Sequence, residues 1–138
     1  MSIGRYGSSD ADLSLLVNGS AEYGARARKS GNEPWVHLLV QQEVVQQPAL
    51  VDLKACPFHL EAKLKQSTLH RTDDYSPQLH AAQFFAYLIV ANRNKTSPGF
   101  GEYFWFGVPI YDDRHRMVPA FEAQDFGQSK MFIYTPQA

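Results

Sequence analysis

Glu102-Tyr103-Phe104-Trp105-Phe106-Gly107-Val108-Pro109-Ile110-Tyr111-Asp112 carries the densest structural pattern in the chain. Its side chains follow the strand period of two. Phe104, Phe106, Val108 and Ile110 fall on one side, a purely apolar set expected to lie in the core. Tyr103, Trp105, Gly107, Pro109 and Tyr111 fall on the other, where hydroxyl and indole groups want partners or water. Gly107 is expected to leave a gap beside Trp105 through which a ligand reaches the backbone. This pattern suits a strand with one face on a core and the other on a ligand groove. The competing reading is a central strand covered on both faces, with all its aromatics packed.

Working outward, Gln83 to Asn92 reads as a strand apolar on both sides, suited to a central position. The loop Asn92 to Gly101 is expected to join it to the Tyr103 strand as an antiparallel pair. Phe58 to Leu69 alternates, with Phe58, Leu60, Ala62 and Leu64 facing in and His59, Glu61, Lys63 and Lys65 facing out. In Trp35 to Val45, Pro34, Pro48 and the valines favour a strand over a helix. Leu13 to Val17 reads as a short strand closed by the Asn18-Gly19 turn, and Met131 to Tyr134 as a closing strand. Asp112 to Phe126 reads as irregular. The total is about seven strands and no helix. The expected architecture is a single all-β domain, an antiparallel β-sandwich of jelly-roll type, over residues 11–138 after a flexible N-terminus at 1–10. A small closed barrel is the alternative.

The chain has 138 residues, of which 44% are hydrophobic and 13% aromatic, enough for a core of its own. Thirteen basic and 14 acidic residues give a net charge of −1, which argues against binding nucleic acid or acidic membranes by bulk electrostatics. Cys56 is the single cysteine, so an internal disulfide and a thiolate metal cluster are excluded. No apolar run is long enough to span a membrane as a helix. Met1 to Ser9 lacks the apolar core of a signal peptide; an extracellular or periplasmic setting is nonetheless the expectation.

If the apolar sets share one core, the opposite faces come together. They carry Trp35, His37, Gln41 and Glu43; His59, Glu61 and Lys63; Gln83, Phe85 and Tyr87; and Tyr103, Trp105 and Tyr111. A plain solvent face would be lysine, glutamate and threonine. This mixture suits sugars, whose C–H faces stack on rings while their hydroxyls pair with Gln, Glu and His.

These residues resemble the concanavalin-like jelly-roll group of carbohydrate-active proteins. The local likeness is to jelly-roll alginate lyases. Tyr103 to Tyr111 is similar to their Tyr-Phe-Lys-x-Gly-x-Tyr strand, and Leu60-Glu61-Ala62 to their Arg-x-Glu strand, in the same order along the chain. Trp105 stands where that family has lysine, the arginine of the Arg-x-Glu motif is absent around Glu61, and Phe84-Phe85 replaces an apolar-histidine pair. The resemblance implies a fold and a ligand class rather than a reaction.

The function expected is polysaccharide binding through Trp35, Gln41, His59, Gln83, Tyr87, Tyr103, Trp105 and Tyr111. The enzymatic alternative uses Glu43 and Glu61 as the carboxylates of a glycosidase, or His37 or Tyr103 as the base of a lyase. A lyase also calls for an arginine to neutralise the uronate, and Arg71, Arg93, Arg114 and Arg116 are the ones near strand ends. No cofactor is expected. The metal alternatives are His37, His59, Glu43 and Glu61 as a cupin-like set, or Asp112, Asp113 and Asp125 as a loop calcium site. A homo-oligomer or protein-interaction domain would bury the same aromatic stripe against a partner.

Overall fold

The computed structural model describes residues 4–6, 12–44, 47–125 and 129–138. The chain forms two compact units. The first comprises residues 1–63 and 71–75, the second residues 64–70 and 76–138.

In the first unit, strand β1 (Gly4–Tyr6) pairs antiparallel with β2 (Asp12–Ser14). The other residues of the expected loose N-terminus lie outside the described residues, as does Val45 of the expected Trp35 strand. Helix α1 (Gly19–Tyr23) follows. The strand expected over Leu13–Val17 is formed only at Leu13 and Ser14, and Asn18 does not close it with a turn. Its carboxamide caps α1, accepting from the Ala21 N–H at 3.2 Å, because asparagine suits an N-cap as well as a turn. Gly24 then ends the helix at φ 66, a conformation that favours glycine. A single 3-10 turn spans Leu50–Asp52.

Two expected strands are not formed among the described residues. Residues 35–44 and 58–69 have no regular secondary structure. Phe58, Leu60 and Leu64, expected to face a core, are exposed. Alternation records which way side chains would face in an extended segment. A strand additionally needs a neighbour to accept its N–H groups and donate to its carbonyls, and here no ladder forms.

In the second unit, residues 64–70 are followed, after the segment 71–75 of the first unit, by one turn of helix, α2 (Pro77–His80), with proline at its start and the His80 Nδ1 accepting from the Ser76 N–H at 2.8 Å. Its body is a four-stranded mixed sheet of β3 (Gln83–Ala91), β4 (Tyr103–Asp112), β5 (Phe121–Gln124) and β6 (Phe132–Thr135), ordered β3-β4-β6-β5. The chain is thus β-rich with little helix. β3 and β4 are antiparallel, as expected, and so are β5 and β6. The β4–β6 pair is parallel, which corrects the all-antiparallel expectation. β5, irregular by its sequence pattern, passes beyond β6 and sends the chain back alongside β4. β3 is an edge strand rather than a central one.

The β3–β4 loop is built from local hydrogen bonds. The Asn92 N–H donates to the Glu102 carbonyl at 2.7 Å, and Gly101, at φ 88, donates to the Asn92 carbonyl at 2.9 Å. Asn94 accepts from the backbone and the hydroxyl of Thr96. At the other end of the hairpin, a bulge lies between the Phe85–Pro109 and Phe84–Tyr111 pairs, leaving Ile110 as the extra residue. β6 pairs with β4 only at Phe104, Trp105 and Phe106, so Pro109 has a strand on one side alone. That position tolerates the missing N–H of proline.

No apolar side chain among the described residues is fully buried. Phe104, Phe106 and Val108, the expected core set, are half-buried, and Ile110 is exposed. No helix among the described residues is long and apolar enough to cross a membrane.

Candidate functional site

Pairing across the sheet decides which side chains share a face, because directly opposed residues point the same way. One face of the second unit carries Phe85, Tyr87 and Ile89 from β3, Tyr103, Trp105 and Gly107 from β4, Ile133 and Thr135 from β6, and Phe121 and Ala123 from β5. The sheet thus brings together Tyr87, Tyr103 and Trp105, which the sequence pattern groups on one side. The Tyr87 and Trp105 rings meet edge to face with centroids 5.6 Å apart, and Tyr103 and Trp105 do the same at 5.6 Å. Phe85 stacks on Tyr87 at 5.7 Å. These geometries match the quadrupole preference of aromatic pairs.

The face is half open. Tyr87 is 39% exposed, Ile89 44% and Phe121 51%, while Phe85, Tyr103 and Trp105 are half-buried. The Tyr87 and Tyr103 hydroxyls and the Trp105 indole N–H have no hydrogen-bond partner among the described residues. Burial, and then the negative charge of Asp125, push the Tyr87 phenol above its ordinary pKa, so it is a neutral donor at physiological pH.

Gly107 is not the expected opening. A Cβ there would stand 2.5 Å from the Thr135 Oγ1 and 2.9 Å from the Tyr87 Cε1. The missing side chain makes room for Tyr87 and for Thr135, which is 1% exposed. The glycine therefore serves internal packing across three strands. Sequence reading misses Thr135 and Phe121 as members of this face. Their placement depends on the parallel β4–β6 register and on β5, whose four residues give too short a pattern to identify.

Gln83 and Tyr111 lie at the bulge, where the extra residue interrupts strict alternation along the hairpin. The Gln83 amide donates to Asp112 Oδ2 at 2.7 Å, and the Tyr111 hydroxyl hydrogen-bonds the Ser67 hydroxyl at 2.8 Å. Asp112 is buried. Its Oδ1 accepts from the Arg114 Nε at 2.8 Å and from the Arg114 backbone N–H at 3.0 Å. The Arg114 hydrogen bond, helped by Gln83 against the cost of burial, holds the Asp112 carboxyl well below the usual carboxylate range.

Trp35, His37, Gln41, Glu43, His59 and Glu61 belong to the first unit. Trp35, 59% exposed, lies under the Arg28 guanidinium, 4.7 Å from its ring centroid. Arg28 is buried and donates to the carbonyls of Glu33 and Gly31 at 3.0 and 2.9 Å. Arg26 pairs with Glu33 at 2.7 Å, and this hydrogen bond lowers the Glu33 pKa. His37, Gln41 and Glu43 are exposed. His59 Nε2 and Glu61 Oε1 are 3.5 Å apart, with both side chains exposed. Asp125 accepts from the Ser129 hydroxyl. Among the described residues, no group of three or more histidine, cysteine or carboxylate side chains is placed to hold a metal ion.

Comparison with protein-family models, with curated proteins and with solved structures finds no match to this chain.

Proposed function

We propose that the Tyr87–Trp105–Tyr103 face of the second unit binds carbohydrate. The observation that carries this reading is the combination of half-exposed aromatic rings with three polar ends, two phenols and one indole, that have no hydrogen-bond partner among the described residues. Sugars present apolar C–H faces and hydroxyls together, and such a face answers both demands. In the finer architecture proposed, the four-stranded sheet is one layer of a jelly-roll sandwich. Of the residues suggested for catalysis, Glu43, Glu61 and His37 are exposed residues of the other unit, whereas Tyr103 lies on the proposed face itself. No carboxylate or imidazole occurs among the strand residues of the face to work with that phenol, so binding is favoured over turnover.

The test follows tryptophan fluorescence through a polysaccharide titration in a Trp35→Phe background, which leaves Trp105 as the sole reporter. Reducing ends and unsaturated-uronate absorbance are read on the same samples. A saturable spectral change without new ends is expected; new ends would make the protein an enzyme. Trp105→Ala is expected to weaken binding by on the order of 1–3 kcal/mol, with unchanged far-ultraviolet circular dichroism. Loss of the fold would make the ring a structural residue instead.

A second reading rests on β3. This nine-residue edge strand contains no charged residue, and its outer backbone has no hydrogen-bond partner among the described residues. Such an edge is a template for strand pairing with another copy. A concentration-dependent sedimentation coefficient, with no response to any glycan, would favour association over carbohydrate.

A further inference from the structure

The charge distribution around this face narrows the ligand class. No lysine, arginine or histidine occurs in β3, β4, β5 or β6. The lysines and arginines of the second unit are Lys65, Arg93, Lys95, Arg114, Arg116 and Lys130, all outside the strands. Arg114 is bound to Asp112. Two acidic residues do lie in the strands. Asp112 is neutralised by that arginine, and Glu122 is opposite Tyr134, on the face away from Trp105. The charged group acting on Tyr87 is a carboxylate, Asp125.

A uronate polymer carries one carboxylate per residue. Bringing it against half-buried aromatic rings removes water from those charges, which is unfavourable unless cations replace it. The strands that form this face offer none. A neutral glycan meets no such cost. Its hydroxyls find the Tyr87 and Tyr103 phenols and the Trp105 N–H, while its C–H faces find the rings.

We infer that the Tyr87–Trp105–Tyr103 face takes a neutral polysaccharide and discriminates against uronate polymers. This deepens the carbohydrate reading and rests on it. It departs from the resemblance to alginate lyases at the position where Trp105 replaces the family's lysine.

Affinity electrophoresis of the full chain tests the assignment. Gels contain hydroxyethyl cellulose, xyloglucan, galactomannan, alginate or polygalacturonate, each at low and at high salt. The expected result is retardation by at least one neutral polymer, little changed by salt because no ion pair forms, and none by the two uronates. Trp105→Ala should weaken it roughly 5- to 150-fold. Tyr103→Phe, which keeps the ring and removes one donor, should weaken it roughly 3- to 10-fold. Retardation by alginate or polygalacturonate alone would overturn the ligand class while leaving carbohydrate binding intact. Neutral retardation left unchanged by both substitutions would overturn the assignment to this face. No retardation in any gel would overturn the carbohydrate reading and this inference with it.

Discussion

Gly107→Ala is expected to destabilise the second unit by about 2–3 kcal/mol, a large effect for one added methyl group. The new Cβ would stand 2.5 Å from the Thr135 Oγ1 and 2.9 Å from the Tyr87 ring. Thr135 is β-branched, stiff at its first torsion and buried at the end of β6, so its hydroxyl has little room to retreat. Tyr87 is held by Phe85 and Trp105. Relief must therefore come from displacing β6 or the aromatic cluster. Gly99→Ala is the control. Its Cβ would meet the Glu102 Oε2 at 2.7 Å, but that atom ends a flexible, exposed side chain that swings away. Its expected cost is under about 0.5 kcal/mol. Urea unfolding of both variants makes the comparison. Combining Gly107→Ala with Thr135→Ala should recover part of the loss, since one of the two close contacts disappears. Equal stability of Gly107→Ala and wild type would mean that Thr135 and Tyr87 are not packed over Gly107.

Asp112→Asn is expected to cost about 2–3 kcal/mol near neutral pH. The Asp112 side chain is 0% exposed and that of Arg114 28%, and the substitution removes the counter-ion while Arg114 keeps its charge. Gln83 loses a charged acceptor as well. The cluster ties the start of β3 to the end of β4, where the bulge interrupts the ladder, so loosening should spread along the hairpin. The pH dependence has a definite sign. The folded carboxyl titrates below its unfolded value, chiefly because of the Arg114 hydrogen bond. Its contribution is therefore complete above the ordinary aspartate pKa, near about 4, and is lost as pH falls below that value toward the depressed folded one. Urea midpoints of wild type and Asp112→Asn should differ at pH 7, and the gap should narrow as the medium is acidified below the ordinary aspartate range. A pH-independent gap would mean that the loss comes from packing rather than from the ion pair.

Three strands of the sheet are legible in sequence almost to the residue, β6 at Phe132–Thr135 lying one residue beyond the expected Met131–Tyr134. Gln83–Ala91 and Tyr103–Asp112 are long, alternate without charged interruptions and are joined by a loop rich in turn residues. The grouping of Tyr87 with Tyr103 and Trp105 follows from that alternation. Asn18 reads as a turn and serves as a cap, because the same short carboxamide suits both geometries. Residues 35–44 and 58–69 alternate as strands do, yet no neighbour completes a ladder for them.

The composition and period of the chain by themselves determined a β-rich protein, the β3–β4 hairpin and an aromatic side to it, because alternation is a local property of consecutive residues. The tertiary structure alone decided that β6 runs parallel to β4, that Thr135 and Tyr87 fill the space at Gly107, and that Asp112 is occupied by Arg114 and Gln83. It also placed Trp35, His37, Gln41, Glu43, His59 and Glu61 in a different unit from Trp105. Each of these depends on which distant segments meet, and the free energy of such meetings is a sum over contacts that no single stretch of sequence contains.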